Sequence, residues 1–575
     1  MLTRLKFRFG SSAGAGPLEL NLSPITIFVG PNNSGKSLVL REIEQYCRQG
    51  RHQVKHIVDE LIAKPITPDA ALKELKAFEM KPVPGQVVPP DHLLLGRADP
   101  HQEIEQRSVS LPHFRANIGG AKDYLFQHYL TFFTLRLDGR TRFSLTDQRP
   151  AGDLQQPPKN VLMALFKDDV ARKRIREVIA DAFGSHFVID PTAMTVFRIK
   201  MSDRPPADDA EEQSLDARAR DFHAAAHDVA IFSDGVKAFT GVIAAVMSAD
   251  YKIILLDEPE AFLHPPLSKK LGYRLASLAK ERSSNLFVAT HSSDFLMGCV
   301  QSGAPINIVR LTYRDRVATA RLLPPATLLS LMRHPLLRST NVLSSLFFEA
   351  VAVTESDTDR AFYAEINERL LTNRIPPQEA REQPLLGLSA ANAQQGAENC
   401  LFINAQNKQT IWTILDPLRR IGIPAAAIVD IDVIKDGGQE WMKLLRGAFI
   451  PDTLHQSLQT LRATIRAEFE KTGKDMKRDG GISLLDKDGQ AAFQSLIDQL
   501  AEYGVFVVPG GEIESWLKHL GATGHGPQWL LKMFETMGAD PAAAEFVKPT
   551  NGDVWEFVER VARWVREPRR KGIPE

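Results

Sequence analysis

Eight residues, GPNNSGKS from Gly30 to Ser37, stand between the apolar run ITIFV and the helix-patterned LVLREIEQYC. Strand, glycine-rich loop and helix in that order are the context that the spacing GxxxxGK[ST] requires. Gly30, Pro31, Asn32, Asn33, Ser34 and Gly35 then form a loop whose backbone N–H groups face phosphate. Lys36 pairs with the β and γ phosphates and Ser37 holds Mg²⁺. Farther on, IILLDEPEAFLHP reads as a buried strand ending in Asp257, placed to hold Mg²⁺ through water, and Glu258, placed to orient or deprotonate the attacking water. NLFVATHSS supplies another strand with a polar end. These pieces predict a parallel α/β sheet and ATP with Mg²⁺ as its ligand.

At 575 residues the chain exceeds what one hydrophobic core supports, so a second domain is expected. The strand–helix rhythm restarts at Val351, which puts a boundary near residue 340 and divides the chain into 1–340 and 341–575. Between the loop and the Asp-Glu strand, roughly 50–220 reads as a largely helical insertion with arms and loops, a possible dimerisation element. It contains the proline-rich KPITPDAALKELKAFEMKPVPGQVVPP and the acidic DRPPADDAEEQSLDARARD. Seventy basic residues balance seventy acidic ones, so no net field draws the chain to nucleic acid and any such binding must use local patches. Cys47, Cys299 and Cys400 are too few and too scattered for a disulfide framework, which suits a reducing compartment. The opening MLTRLKFRFG leads into an alternating strand, and no stretch approaches 18 apolar residues. A soluble cytoplasmic protein without a membrane partner is expected.

The second half raises a question of charge. TESDTD, with Glu355, Asp357 and Asp359, follows the strand-like EAVAV; VDID and GGEIES follow two further apolar runs. Carboxylates at the C-terminal ends of neighbouring parallel strands converge on one crevice. Such a concentration of negative charge repels itself without a cation, and carboxylate oxygens are what Mg²⁺ or Mn²⁺ prefers.

Order along the chain adds a resemblance. FSDGVKAF precedes the Asp-Glu strand by about one helix and VATHSSDF follows it by another strand, an arrangement that resembles the ABC-type ATPases. The resemblance implies that Ser233 and Gly235 form the signature turn and that His291 senses the γ phosphate. It also implies a homodimer or higher homo-oligomer with ATP between heads. Asp234 and Val236 replace the glycine and glutamine of LSGGQ, as in the SMC, RecF and OLD branch. The later acids resemble the TOPRIM signature: Glu355 matches its glutamate, Asp359 the trailing aspartate, and Asp430 and Asp432 the DxD pair, with Ser356 where glycine is usual. Glu514 resembles the later glutamate of OLD nucleases, with Glu512 competing for that place.

An ABC-type head followed by an α/β TOPRIM domain and a C-terminal helical region is similar to the OLD (overcoming lysogenization defect) family. The family implies a nuclease using two Mg²⁺ or Mn²⁺ ions. Glu355, Asp430 and Asp432 would position one, and Asp359 and Glu514 would help hold the other, with Lys548 or Lys408 offsetting phosphate charge. DNA is the implied substrate, defence against phage the implied role, and a helicase or a reverse transcriptase with its RNA the implied partner. The terminal ERVARWVREPRRKG places Arg560, Arg563, Arg566, Arg569, Arg570 and Lys571 around Trp564, either gripping phosphate or forming a solvated helix face. Two rival readings are a nucleotide-gated sensor or scaffold and a repair ATPase of SMC or RecF type.

Overall fold

The computed structural model describes residues 1–50, 55–82, 85–97, 105–120, 122–139, 141–314, 316–324, 332, 342–372 and 396–574. Two compact units emerge, Met1–Pro325 and Ala326–Glu575. The boundary expected near residue 340 lies outside the described residues. Among those described, no helix is long and apolar enough to cross a membrane.

Six strands make the main sheet of the first unit, in the order Val317–Leu323, Ile306–Arg314, Ile25–Val29, Asn285–Ala289, Ile253–Asp257 and Thr134–Leu137. Neighbours run parallel except at the Ile306–Arg314/Val317–Leu323 edge, which is antiparallel. Every residue of Ile25–Val29 and of Asn285–Ala289 is buried, as continuous apolar runs require in a sheet covered on both faces. All the parallel strands therefore end at one edge, where Gly30, Asp257 and the Thr290–His291 turn emerge.

The insertion carries helices Pro68–Leu75, Leu111–Asn117, Lys122–His128, Val161–Lys167, Asp169–Phe183 and Asp209–Gln213, and beside them strands that the expected largely helical reading does not place. Val58–Ala63 pairs with the N-terminal strand Leu2–Phe7, His92–Arg97 pairs with Glu105–Ser110, and Thr134–Leu137 joins the main sheet. His186–Asp190 pairs with Val196–Ser202, whose sequence VFRIKMS alternates buried and half-buried side chains over most of its length. That period of two is a strand signal inside the stretch read as arms.

In the second unit four parallel strands lie in the order Cys400–Asn404, Ala350–Thr354, Ala425–Val429 and Val505–Val507. All five residues of each central strand are buried. Ala350, Ala352, Ala426, Ile428 and Phe506 share a core with Phe362 and Tyr363 of helix Asp357–Thr372 and with Trp555 and Trp564 of helix Asp553–Arg566. The basic C-terminal segment is therefore built around a buried tryptophan. Trp564 Nε1 donates to the Glu502 carbonyl at 3.0 Å, Arg560 pairs with Asp498 at 2.7 Å and Lys571 with Glu502 at 2.5 Å. Several of its cations thus serve their own neighbours.

Arg419 ties this unit together. Its guanidinium is fully buried and donates to the carbonyls of Ala425, Ala448, Gly572 and Gly504 at 2.9, 2.8, 3.2 and 3.3 Å, under the Trp564 ring. Arg419→Met keeps the stem but leaves four carbonyls without this donor, so it should cost on the order of 3 kcal/mol or more. A thermal or denaturant unfolding curve of the full chain checks this; an unchanged midpoint would refute it.

Candidate functional site

Backbone shape comes first at the phosphate loop. Gly30 has φ +141°, and a Cβ there would lie 2.0 Å from the Leu311 carbonyl oxygen. Gly35 opens helix Lys36–Gln49 at φ +94°, with Ile57 Cδ1 only 2.5 Å from where a Cβ would stand. Glycine is required at both positions. Ile57 is held in place by Glu42 of the same helix, whose carboxylate accepts the backbone N–H groups of His56, Ile57 and Val58 at 2.7 to 3.0 Å.

Within that frame, Lys36 Nζ donates to the Gly30 and Pro31 carbonyls at 2.8 and 2.7 Å. Burial lowers its pKa to about 8, against the opposing pull of Glu258 and Asp257. Ser37 Oγ donates to Asp257 Oδ1 at 2.9 Å, so the two groups expected to share Mg²⁺ already meet. Burial raises the Asp257 carboxyl above the usual range. His291 Nε2 stands 3.5 Å from Glu258 Oε1, and burial together with Lys36 lowers the histidine's pKa, which favours a neutral ring. Glu258 itself is half exposed, at a φ of +48°.

Two residues escaped the sequence reading. Arg142, fully buried, donates from Nη2 to the Asp257 carbonyl at 2.6 Å. Glu260 accepts from Thr290 Oγ1 at 2.7 Å and from the His291 N–H at 2.9 Å, tying the end of the Asp-Glu strand to the turn that carries His291. Its Oε2 is buried without a partner, and burial pushes its pKa up. Glu260 is legible only as the second acid of DEPE. Ser233 is exposed as the N-cap residue of helix Asp234–Met247, and a Cβ on Gly235 would lie 3.0 Å from the Phe262 carbonyl. Among the described residues, no hydrogen bond or ion pair joins Ser233 or Gly235 to the phosphate loop.

The second unit gathers its acids at the C-terminal edge of its sheet. Glu355 follows the strand Ala350–Thr354 and Asp430 follows Ala425–Val429; the Asp430 N–H donates to Glu355 Oε1 at 2.9 Å. Asp359 accepts from the Ser356 N–H at 2.9 Å, which turns its carboxylate back to the strand end. Burial, with repulsion from Asp432 and Asp359 on Glu355 and from Glu355 on Asp430, pushes both carboxyls above the usual carboxylate range, and burial does the same to Asp359. Asp432, in the next turn, adds repulsion on Glu355 and has a buried Oδ1 without a partner.

The lysines fall differently from expectation. Lys548 is exposed and makes no ion pair among the described residues. Lys408 reaches Asp432 and Asp436 at 3.2 and 3.3 Å, on the flank of the crevice. The ammonium on Asp430 belongs to Lys477, at 2.6 Å, with Glu512 at 3.8 Å. Burial alone would lower the Lys477 pKa, but Asp430 overrides it and holds it above the usual lysine value. Lys477 lies in KTGKDMKRDGG, which carries no motif; its one trace in the sequence is remote. Gly511, of the GGEIES run, has φ +122° and would place a Cβ 2.1 Å from the Lys477 carbonyl. Both glutamates that compete in GGEIES belong to the crevice. Glu514 Oε1 lies 2.8 Å from His525 Nδ1, and Glu512 Oε1 lies 3.8 Å from the same nitrogen. His525 had no sequence signal.

Residues 192–298 match the ATPase family described as "AAA domain, putative AbiEii toxin, Type IV TA system". The matched stretch includes Ser233, Gly235, Asp257, Glu258 and His291. This chain carries an AAA-type ATPase domain of α/β fold. Among solved structures, the SMC head bound to the C-winged helix domain of ScpA is 15% identical, with a TM-score of 0.32, covering 57% of this chain and 99% of that one. The SMC head domain from Thermotoga maritima is 14% identical, with a TM-score of 0.28 and coverages of 56% and 99%. A Pyrococcus furiosus Smc head with an extended coiled coil is 13% identical, with a TM-score of 0.30 and coverages of 58% and 98%. A comparison with curated proteins finds no match.

Because Glu260 touches the His291 turn and not the phosphate loop, Glu260→Ala should lower kcat for ATP hydrolysis about tenfold or more while leaving KM within about threefold. Steady-state ATPase kinetics test this. A pure KM effect would refute the positioning role.

Proposed function

We propose that the chain is an ATP-regulated, divalent-metal-dependent nuclease of OLD type that cuts or nicks DNA in defence against phage. One observation carries the reading: strand-end acids from separate strands, Glu355 and Asp430, meet with Asp359, Asp432, Glu512 and Glu514 around one crevice. Burial leaves Glu355, Asp359, Asp430 and Glu512 above their usual pKa range, and the one ammonium on Asp430, that of Lys477, does not bring it back down. The toxin description of the matched ATPase family supports a defensive role.

In the ATPase unit, Gly30 to Ser37 cradle the phosphates, and Lys36 leaves the Gly30 and Pro31 carbonyls for the phosphate oxygens. Ser37 and Asp257 serve Mg²⁺. Glu258 orients the attacking water and His291 senses the γ phosphate. Exposed Ser233 and half-buried Gly235 would complete the site of a second copy, which makes the active form a homodimer or larger.

In the second unit the donor set is carboxylate oxygen, which fits Mg²⁺ or Mn²⁺. Glu355, Asp430 and Asp432 would hold one ion and Asp359 and Glu514 would help hold another, supplying an activated water and stabilisation of the leaving oxygen. Lys477, moving off Asp430, sits close enough to neutralise a phosphodiester, the role first expected of Lys548. A helicase or a reverse transcriptase with its RNA remains the family's suggestion for a partner.

The two activities should separate. Glu355→Ala or Asp430→Ala should reduce plasmid cleavage with Mg²⁺ or Mn²⁺ by about a hundredfold or more, while ATP hydrolysis stays within about twofold. Lys36→Ala should abolish ATP binding, and Glu258→Gln should bind ATP but fail to hydrolyse it. Cleavage by the Glu355 and Asp430 variants at the wild-type rate, or cleavage that persists in excess EDTA, would leave a nucleotide-gated sensor, scaffold or SMC-like ATPase in its place.

A further inference from the structure

The loop after the last strand brings together three metal-ligating side chains of mixed chemistry. Glu512, Glu514 and His525 offer two carboxylate oxygens and an imidazole nitrogen, all within 4.8 Å of one another. Glu512 directly precedes the short turn Ile513–Ser515 and Glu514 lies within it. Gly524 and Gly526 flank His525 at φ +115° and +57°, and the Gly526 N–H donates to Glu514 Oε1 at 2.8 Å, which pins the loop to the glutamate. Nδ1 of the histidine faces both carboxylates, at 2.8 Å from Glu514 and 3.8 Å from Glu512.

From this geometry we infer that Glu512, Glu514 and His525 form a three-ligand site for a transition-metal dication in preference to Mg²⁺. Its use in catalysis rests on the nuclease reading; its existence does not. Two carboxylates and a neutral imidazole carry a charge of −2, which a dication cancels. Mg²⁺ dehydrates reluctantly and takes oxygen ligands, whereas imidazole nitrogen suits ions later in the first-row series. The histidine is about two-thirds exposed, which leaves the remaining coordination positions to water or a phosphate oxygen. Lys477 bridges this triad and the Glu355–Asp430 pair, 3.8 Å from Glu512 Oε2 and 2.6 Å from Asp430 Oδ2.

The test is metal binding by the full chain, with Glu355→Ala and Asp430→Ala introduced together to remove the first position. Titration with Mn²⁺, Zn²⁺ and Mg²⁺ alone, followed calorimetrically, should show one site that prefers Mn²⁺ and Zn²⁺ to Mg²⁺ by tenfold or more. His525→Ala should weaken Mn²⁺ and Zn²⁺ at least tenfold and leave Mg²⁺ within about twofold. His525→Asp should restore Mn²⁺ binding but narrow its margin over Mg²⁺. Pulsed electron paramagnetic resonance of bound Mn²⁺ should show coupling to an imidazole nitrogen that disappears in His525→Ala. Equal metal affinities with and without His525, or no nitrogen coupling, would overturn the proposal and make His525 an ion-pair partner of Glu514. Those results read metal and not cleavage, so their failure is distinct from cleavage by the Glu355 and Asp430 variants, which would sink the nuclease reading instead.

Discussion

Strand register in a parallel sheet decides which residues can meet at its edge, and the acidic crevice depends on it. Val351 lies opposite Ala425 and Val353 opposite Ala427, so the two strands run out together and Glu355 reaches the backbone of Asp430. Ala427 and Val429 are in turn matched to Val505 and Val507. The chain beyond Val507 then folds back, with Gly511 accepting the Ile431 N–H at 3.0 Å, and delivers Glu512 to the same edge. A slip of one residue in any of these pairings would turn a strand's side chains to the opposite face and break the constellation. The fully buried AVAVT and AAAIV strands make such a slip costly, because both faces of the sheet are already packed.

The same edge concentrates negative charge, and the chain answers with backbone N–H groups and two ammoniums, Lys477 on Asp430 and Lys408 on Asp432. Glu355 is held by the Asp430 N–H and Asp359 by the Ser356 N–H, yet their pKa values stay raised. Neutral donors therefore offset only part of the burial and repulsion. The ATPase centre follows a milder version of this rule. Asp257 is bonded by Ser37 and still raised, while Glu260 is buried with one oxygen unpartnered.

Legibility of these sites in the sequence tracked how local each constraint is. Gly30, Gly35 and Lys36 are fixed by backbone geometry within eight residues, and Asp257 and Glu258 by the end of an apolar strand, so spacing sufficed. Glu355, Asp359 and Asp430 were readable because carboxylates directly after buried strands demand an explanation. Lys477 and His525 lie 47 and 95 positions beyond Asp430 in loops without periodicity, and only the fold brings them to the acids. Lys548 is indicated only by the family resemblance, and it is exposed and in no ion pair among the described residues. The strands of the insertion are less legible than its helices for a related reason: they are short and interrupted by proline-rich and acidic stretches, which dilute the period-two signal of a segment such as VFRIKMS.

Both units place a lysine on oxygens of its own site, and the difference in acceptor gives the two centres different thermodynamics. Lys36 is bonded to carbonyls, which carry no formal charge, and burial pulls its pKa to about 8. Phosphate oxygens offer that ammonium an anionic partner it lacks, and charge-assisted hydrogen bonds are roughly twice as strong as neutral ones. Nucleotide binding thus gains from the exchange. Lys477 already has a full anion in Asp430 and is held firmly charged. A cation entering there must displace an existing ion pair, which lowers its net affinity but spares the metal-free crevice the full repulsion of its carboxylates. The lysine thereby makes the acidic constellation compatible with a folded chain without metal, and under the metal-dependent reading proposed above weaker ion binding would be the corollary of that tolerance.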